Sequence, residues 1–244
     1  MSALTVRDLT VAGRLNGVTF VLRPGTLAAI VGPNGSGKST LLQASAGLLP
    51  ALGNVEVQGR PLLRIAILDR ARRLAWVPQE ASFQFAFSVR EVVAQGRYMW
   101  ADDESGIDDA LDAFDLRDLA DRPVTLLSGG ERQRVSLARA VATGAGLQLW
   151  DEPVAQLDVR HALEVLALAR RLANGGTALL VSLHDLRMTQ SFDRVLLLQS
   201  GRLIADGRPE DTLTPAAILE VFGVRARSAV SLSLELPDDR CERT

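Results

Sequence analysis

The chain has 244 residues, a length that suits one α/β domain with an appended lobe better than several separate domains. Its 27 basic and 29 acidic residues give a formal net charge of −2, which argues against nucleic acid as a partner and against a polybasic membrane anchor. The 47% of hydrophobic residues can form a core, but no uncharged apolar stretch approaches the roughly 20 residues that span a bilayer. No signal peptide is apparent, and the single cysteine, Cys241, permits no internal disulfide, so we expect a chain that reaches a membrane only through a partner.

One basic residue differs in type from all the others. Of the 27 basic residues, 26 are arginine and one is a lysine, Lys38. Arginine is a planar fork of donors, whereas lysine is a compact and flexible point charge. A single lysine in so arginine-rich a chain indicates a position that requires the compact ammonium group and where a guanidinium could not replace it.

Lys38 lies in a segment with the phosphate-binding loop pattern G-x-x-x-x-G-K-[ST]. The apolar run at 26–31 predicts a buried strand before it, and the residues that follow predict a helix that ends near Gly47. In that context backbone N–H groups face an anion, so we expect Lys38 to reach the β- and γ-phosphates of a nucleotide and Ser39 to bind Mg²⁺. A glycine-rich turn without a ligand is the alternative. The loop comprises Gly32, Pro33, Asn34, Gly35, Ser36, Gly37, Lys38, Ser39 and Thr40.

Two further segments stand between this loop and the middle of the chain. Gln79 follows a short apolar run at 75–78, which predicts another strand end. Ser88 then has capping-box spacing to Glu91 and predicts a helix start. Before it, the aromatic residues Phe83, Phe85 and Phe87 alternate with Gln84 and Ala86. They either pack on their own lobe or form a groove for a short helix of a membrane partner, and we favour the groove.

A third helix start has two glycines immediately after its cap. Ser128 and Glu131 have capping-box spacing, and Gly129 and Gly130 leave the backbone bare at the positive end of the helix. This end is suited to an anion, although an ordinary well-capped helix is the alternative.

Two acids close the next predicted strand, at 146–150. Asp151 comes directly after the strand, where a carboxylate can hold Mg²⁺. Glu152 follows, where it can polarise a water as a general base. Because parallel α/β sheets bind ligands at the carboxyl ends of their strands, these acids and the phosphate loop predict one site.

Together these motifs resemble those of a known family. The segment LSGGE at 127–131 is similar to the signature motif of ABC-type ATPases, the loop at 32–40 to their Walker A motif, and 147–152 to their Walker B motif. VPQ at 77–79, LD at 157–158 and SLHD at 182–185 resemble their Q-loop, D-loop and switch region, which makes Gln79, Asp158 and His184 the corresponding residues. All occur in the family's order, and the resemblance covers about 4–224.

The resemblance implies an α/β fold: a RecA-like P-loop NTPase core with a small antiparallel β subdomain and an inserted helical subdomain at about 80–127. One ABC ATPase domain would span 1–227, and the alternating residues at 229–236 predict an edge strand within a C-terminal segment, 228–244, whose end is frayed. Two copies would pack head-to-tail, each ATP lying between one chain's phosphate loop and the other chain's signature helix. Ser128 and Gly130 would touch the γ-phosphate, with Gly129, Glu131 and Asp158 in the same composite site.

The family also implies roles for the remaining site residues. His184 would contact the γ-phosphate and help to hold the attacking water, and Gln79 would contact Mg²⁺ or that water. The other histidine, His161, is interpreted as a solvated residue. The family's usual adenine-stacking aromatic is missing from 9–16, so Val11 or Arg14 would cover the base.

Finally, the patterns at 89–97, 183–186 and 213–224 are similar to the ATPase subunits of importers for iron chelates, haem and vitamin B12. That resemblance implies an ATP- and Mg²⁺-dependent homodimer on the cytoplasmic face of the inner membrane, bound to permease subunits and indirectly to an extracytoplasmic binding protein. A soluble ABC ATPase of the iron–sulfur assembly type and a nucleotide-dependent binding switch with little turnover are the alternatives.

Overall fold

The computed structural model describes residues 2–100 and 104–226. The predicted edge strand at 229–236 and the rest of the C-terminal segment lie outside the described residues. Within those ranges the strands are β1 (Leu4–Val11), β2 (Leu15–Leu22), β3 (Leu27–Val31), β4 (Leu52–Val57), β5 (Arg60–Pro61), β6 (Leu74–Val77), β7 (Leu147–Trp150), β8 (Ala178–Ser182), β9 (Arg194–Gln199) and β10 (Arg202–Gly207).

The α-helices of the same ranges are α1 (Lys38–Ser45), α2 (Ile67–Arg73), α3 (Val89–Ala94), α4 (Ile107–Ala113), α5 (Gly129–Ala142), α6 (Val159–Asn174), α7 (Pro209–Thr212) and α8 (Pro215–Phe222). Short 3₁₀ helices lie between them, at Leu62–Arg64, Gln95–Trp100, Arg117–Leu119, Val124–Leu126 and Leu186–Ser191. None of the helices in the described residues is long and apolar enough to cross a lipid bilayer.

The strands form two sheets. An antiparallel sheet has the order β2-β1-β4-β5, and a second sheet has the order β10-β9-β3-β8-β7-β6, in which only β10 runs antiparallel to its neighbour. The five parallel strands β3, β6, β7, β8 and β9 therefore end at one edge. The phosphate loop follows β3, and the predicted site residues Gln79, Glu152 and His184 follow β6, β7 and β8, so the sheet gathers them there.

The central strand β3 shows how the parallel sheet packs between the helices on one face and the antiparallel sheet on the other. All five of its residues are buried, as expected for a parallel strand that is covered on both faces. Leu27, Ala29 and Val31 belong to the core shared with the helices, whereas Ala28 and Ile30 belong to the core shared with the antiparallel sheet. The predicted fold class, a parallel core with an antiparallel subdomain and a helical insertion, is confirmed.

The segment between β6 and α5 contains helices and no strand within its described residues. Helix α3 begins at the predicted capping box, in which Ser88 Oγ accepts the Glu91 N–H and Glu91 accepts the Ser88 N–H. Helix α5 begins at the equivalent box of Ser128 and Glu131. Helix α1 ends at Ser45, and Gly47 follows with a left-handed φ of 72°, so the predicted end near Gly47 is confirmed.

Candidate active site

A cleft of about 440 Å³ opens at the carboxyl edge of the parallel sheet. Its lining combines the phosphate loop, the tip of the β1–β2 hairpin and three predicted site residues from other strand ends. The lining residues are Gly13, Arg14, Asn34, Gly35, Ser36, Gly37, Lys38, Ser39, Thr40, Gln79, Glu152 and His184. The structure thus brings together most of the residues that the sequence assigned to one site.

The phosphate loop is packed so tightly that glycine is required at two positions. A Cβ atom on Gly32 would lie 2.1 Å from the carbonyl oxygen of Leu198, on neighbouring strand β9. Gly37 is the N-cap of α1 with a left-handed φ of 103°, and a Cβ there would lie 3.0 Å from the Arg14 carbonyl oxygen. The loop therefore presents the N-terminus of α1 to the cleft, an arrangement that favours an anion.

Lys38 is buried at the base of the loop, with 5% of its surface exposed. Its ammonium group donates hydrogen bonds to the carbonyl oxygens of Gly32 at 2.9 Å and Pro33 at 3.2 Å. Burial lowers the pKa of Lys38 from its ordinary value of 10.5, and the carboxylates of Glu152 and Asp151 oppose that shift. A buried cation faces the cleft, restrained by the loop's own carbonyl groups.

Asp151 accepts two hydroxyl hydrogen bonds at one of its oxygens. Ser39 Oγ donates to Asp151 Oδ1 at 3.1 Å, and Ser182 Oγ donates to the same atom at 2.6 Å. Asp151 Oδ2 has no hydrogen-bond partner among residues 2–100 and 104–226. One carboxylate oxygen is thus fixed and the other remains available beside the phosphate loop.

Glu152 is held between the two other predicted hydrolytic residues. Gln79 Nε2 donates to Glu152 Oε2 at 2.8 Å, and His184 Nε2 lies 2.5 Å from Glu152 Oε1. The backbone of Glu152 is left-handed, with a φ of 46°, a conformation that costs a non-glycine residue roughly 1–2 kcal/mol. The side chain is 7% exposed. A strained and restrained carboxylate at a cleft is typical of a functional residue.

The hairpin between β1 and β2 contributes Arg14 to the cleft, whereas Val11 packs against the core beneath the antiparallel sheet. Asn16 N–H donates to the Gly201 carbonyl at 2.9 Å, and a Cβ on Gly201 would come within 2.4 Å of the Arg14 carbonyl oxygen. The hairpin is therefore fixed against the loop after β9. Of the two candidates for covering a base, Arg14 is the one in the cleft lining.

The signature segment lies outside the cleft of its own chain. Ser128 Oγ caps α5, accepting the Glu131 N–H at 3.3 Å, and Ser128 itself is exposed. A Cβ on Gly130 would lie 3.3 Å from the Gln156 carbonyl oxygen, so the signature packs on the loop before α6. The described residues that line the cleft include neither the signature nor Asp158, and a composite site would need them from a second chain.

Asp158 caps helix α6 within the single chain. Its Oδ1 accepts the His161 N–H at 2.9 Å, and its Oδ2 lies 2.8 Å from His161 Nδ1. These hydrogen bonds to His161 lower the pKa of Asp158 below its ordinary value, and the bond from the His161 backbone N–H has the largest effect. The ring of His161, which we interpreted as a solvated residue, remains 30% exposed while it pairs with the cap. The pairing follows from the spacing of three residues between the N-cap aspartate and the histidine.

A second, smaller depression of about 200 Å³ is lined by residues that follow Gln79 in the chain. It is lined by Ser82, Phe83, Gln84, Phe85, Phe87, Val92 and Gln95. The rings of Phe85 and Phe87 meet edge to face with centroids 6.1 Å apart, yet they are 68% and 46% exposed. Exposed aromatic side chains around a depression indicate an interaction surface. We call it the aromatic groove.

Comparisons with known proteins agree with this geometry. The family model described as ABC transporter matches residues 15–155. The hemin import ATP-binding protein HmuV of Streptomyces coelicolor is 45% identical over 216 residues, which cover 85% of this chain and 77% of that protein. HmuV of Pseudomonas putida is 44% identical over 226 residues, covering 86% and 87%.

A solved structure, described as the ATP-binding subunit of an ABC transporter, matches with a TM-score of 0.80 and 26% identity. The match covers 93% of this chain and 96% of that one. Both the sequence similarity and the fold similarity extend over most of the chain. The chain therefore belongs to the ABC transporter family and is one of its ATPases.

Proposed function

We propose that this chain is the ATP-hydrolysing subunit of an importer that takes up haem, or a related iron chelate or vitamin B12-like cargo, through a separate membrane permease. The chemistry rests on one observation, the Glu152 carboxylate held between Gln79 and His184 at the edge of the phosphate-loop cleft. The cargo class is supported by relatives that are named hemin import ATP-binding proteins.

The residues present fit a magnesium ion. The Ser39 hydroxyl and the Asp151 carboxylate lie together next to the phosphate loop, and Mg²⁺ prefers such oxygen ligands. Gln79, across the cleft, is a further candidate ligand. When bound, Mg²⁺ would neutralise charge on the β- and γ-phosphates.

In hydrolysis the phosphate loop and Lys38 would hold the triphosphate, with Lys38 exchanging its bonds to the Gly32 and Pro33 carbonyls for phosphate oxygens. Glu152 would accept a proton from the water that attacks the γ-phosphorus, and the β–γ bridging oxygen would leave with ADP. His184 and Gln79, which already hold Glu152, would orient that water. The products are ADP and inorganic phosphate.

Two copies of the chain would complete each site. The signature of one copy, Ser128–Glu131, would supply its bare helix end to the γ-phosphate held by the other copy. A two-fold pair brings the same two surfaces together twice, giving two composite sites with Asp158 at the seam. The support is that the signature is absent from the cleft lining of its own chain and that Ser128 is exposed.

The permease would dock in the aromatic groove. Phe85 and Phe87 offer exposed rings to an apolar face of a short helix, and the groove begins three residues after Gln79, which bonds Glu152. Docking would place the ATPase on the cytoplasmic face of the inner membrane, with an extracytoplasmic binding protein delivering cargo on the other side.

The test uses a host that carries the gene and its natural permease. Cells with Glu152→Gln, or with Phe85→Ala and Phe87→Ala together, should lose growth on haem as the iron source. The aromatic variant should still hydrolyse ATP when purified. Leu52→Ala, which removes an exposed apolar residue outside the groove, is the matched control. Recovery of the wild-type chain only in a soluble complex, with unchanged haem uptake in its absence, would refute the proposal.

A further inference from the structure

Ser182 lies at the point where the two acidic residues of the site meet. It is the last residue of β8 and is fully buried. Its hydroxyl donates to Asp151 Oδ1 at 2.6 Å and accepts the Glu152 N–H at 2.8 Å. One side chain therefore contacts both consecutive acids that follow β7.

The bond to Glu152 supports an unfavourable backbone conformation. Glu152 is left-handed, and its N–H is buried with Ser182 Oγ as the acceptor. An N–H without an acceptor at such a position would be strongly disfavoured. The Ser182 hydroxyl thus stabilises the turn that directs Glu152 towards Gln79 and His184.

The bond to Asp151 fixes which of its oxygens is available. Ser39 and Ser182 both donate to Asp151 Oδ1, so neither hydroxyl occupies Oδ2. If the Ser39 hydroxyl turns to a cation, Ser182 is the remaining hydroxyl donor to Asp151 among the described residues. A hydrogen bond to a carboxylate is stronger than one between neutral groups, so this donor can hold the side chain alone.

We propose that Ser182 is a positioning residue for hydrolysis: it orients the Asp151 carboxylate for Mg²⁺ and stabilises the Glu152 turn without touching the nucleotide. The inference rests on the proposed ATPase mechanism and extends it to a residue outside the cleft lining. It couples the metal ligand and the general base through one hydroxyl, so loss of that hydroxyl disturbs both.

The experiment compares Ser182→Ala with two matched controls, Ser45→Ala and Ser136→Ala. Those serines are also buried, but their hydroxyls have no hydrogen-bond partner among the described residues. For each protein we would measure kcat, the Mg²⁺ concentration for half-maximal activity, and the Kd for ATP with Mg²⁺ and with a chelator. Ser182→Thr, which keeps the hydroxyl, is the rescue variant.

We expect Ser182→Ala to lower kcat by about tenfold or more and to raise the Mg²⁺ concentration at half-maximal activity by about fivefold or more. Its Kd for ATP without Mg²⁺ should stay within twofold of the wild type, which a merely unfolded variant would not show. Ser182→Thr should recover most of both values, and the two controls should match the wild type.

An unchanged Mg²⁺ dependence in Ser182→Ala, or an equal change in the controls, would overturn the inference while leaving the proposed function intact. Failure of the wild-type chain to hydrolyse ATP would instead count against the proposed function. In that case the ratio of the ATP Kd values with and without Mg²⁺ still tests Ser182, and an equal ratio in wild type and Ser182→Ala would overturn the inference.

Discussion

Replacing Lys38 by arginine keeps the positive charge and changes only its shape and position. The lysine is 5% exposed, and its ammonium group already has two carbonyl acceptors at 2.9 and 3.2 Å. A guanidinium is larger and planar, and it cannot fit this buried space while pointing one donor at a phosphate. The Lys38→Arg variant should therefore bind ATP much more weakly than the wild type, although it keeps the positive charge.

The magnitude follows from the contact that is lost. A hydrogen bond to a charged group contributes about 1.5–3 kcal/mol, which corresponds to about a 10- to 150-fold increase in the Kd for ATP. Calorimetric titration with a non-hydrolysable ATP analogue and Mg²⁺ would measure it, and thermal unfolding without nucleotide would show that the variant is folded. Binding by folded Lys38→Arg within threefold of the wild type would refute the reasoning.

Three other predictions concern the same cleft. Glu152→Gln should keep ATP binding but slow phosphate release by about 10²- to 10⁴-fold, because the proposed general base is lost; a normal rate in a phosphate-release assay would contradict this. Removing the Glu152 charge also removes one of the two interactions that raise the pKa of Lys38, so ATP affinity should decline at a lower alkaline pH in Glu152→Gln than in the wild type. Identical pH profiles in a binding titration would exclude that coupling. Gly32→Ala should lower the free energy of unfolding by about 1–3 kcal/mol, because the added Cβ would lie 2.1 Å from the Leu198 carbonyl oxygen. An unchanged midpoint in denaturant unfolding would disprove the close contact.

Features that depend on neighbours in the chain were predictable from the sequence. Helix starts at Ser88 and Ser128 depend on a capping side chain and a backbone N–H three residues later, and the structure has both. The gathering of Gln79 and Glu152 at one sheet edge was also predictable, because parallel strands end on the same side.

Features that depend on sheet register and on packing between distant segments could not be predicted from the sequence. Ser182 meets Asp151 because β7 and β8 pair with Trp150 opposite Val181, a register that no local pattern encodes. Gln148 interrupts an apolar strand, yet it is buried because its side chain donates to the Ala140 carbonyl and accepts the Trp150 Nε1–H. Such partners become known only when helix and strand are placed together.

In the proposed dimer, the signature of one chain closes on the ATP held by the other. The most direct measurement is native mass spectrometry with Mg²⁺ and ATP on the Glu152→Gln chain, alone and with Ser128→Arg added. Ser88→Arg is the matched control, because Ser88 forms the same capping box with Glu91 on a different helix. We expect a dimer with two ATP for the parent and for Ser88→Arg, but monomers with one ATP each for Ser128→Arg. A parent that stays monomeric with ATP, or a Ser128→Arg chain that dimerises as well as its control, would contradict it.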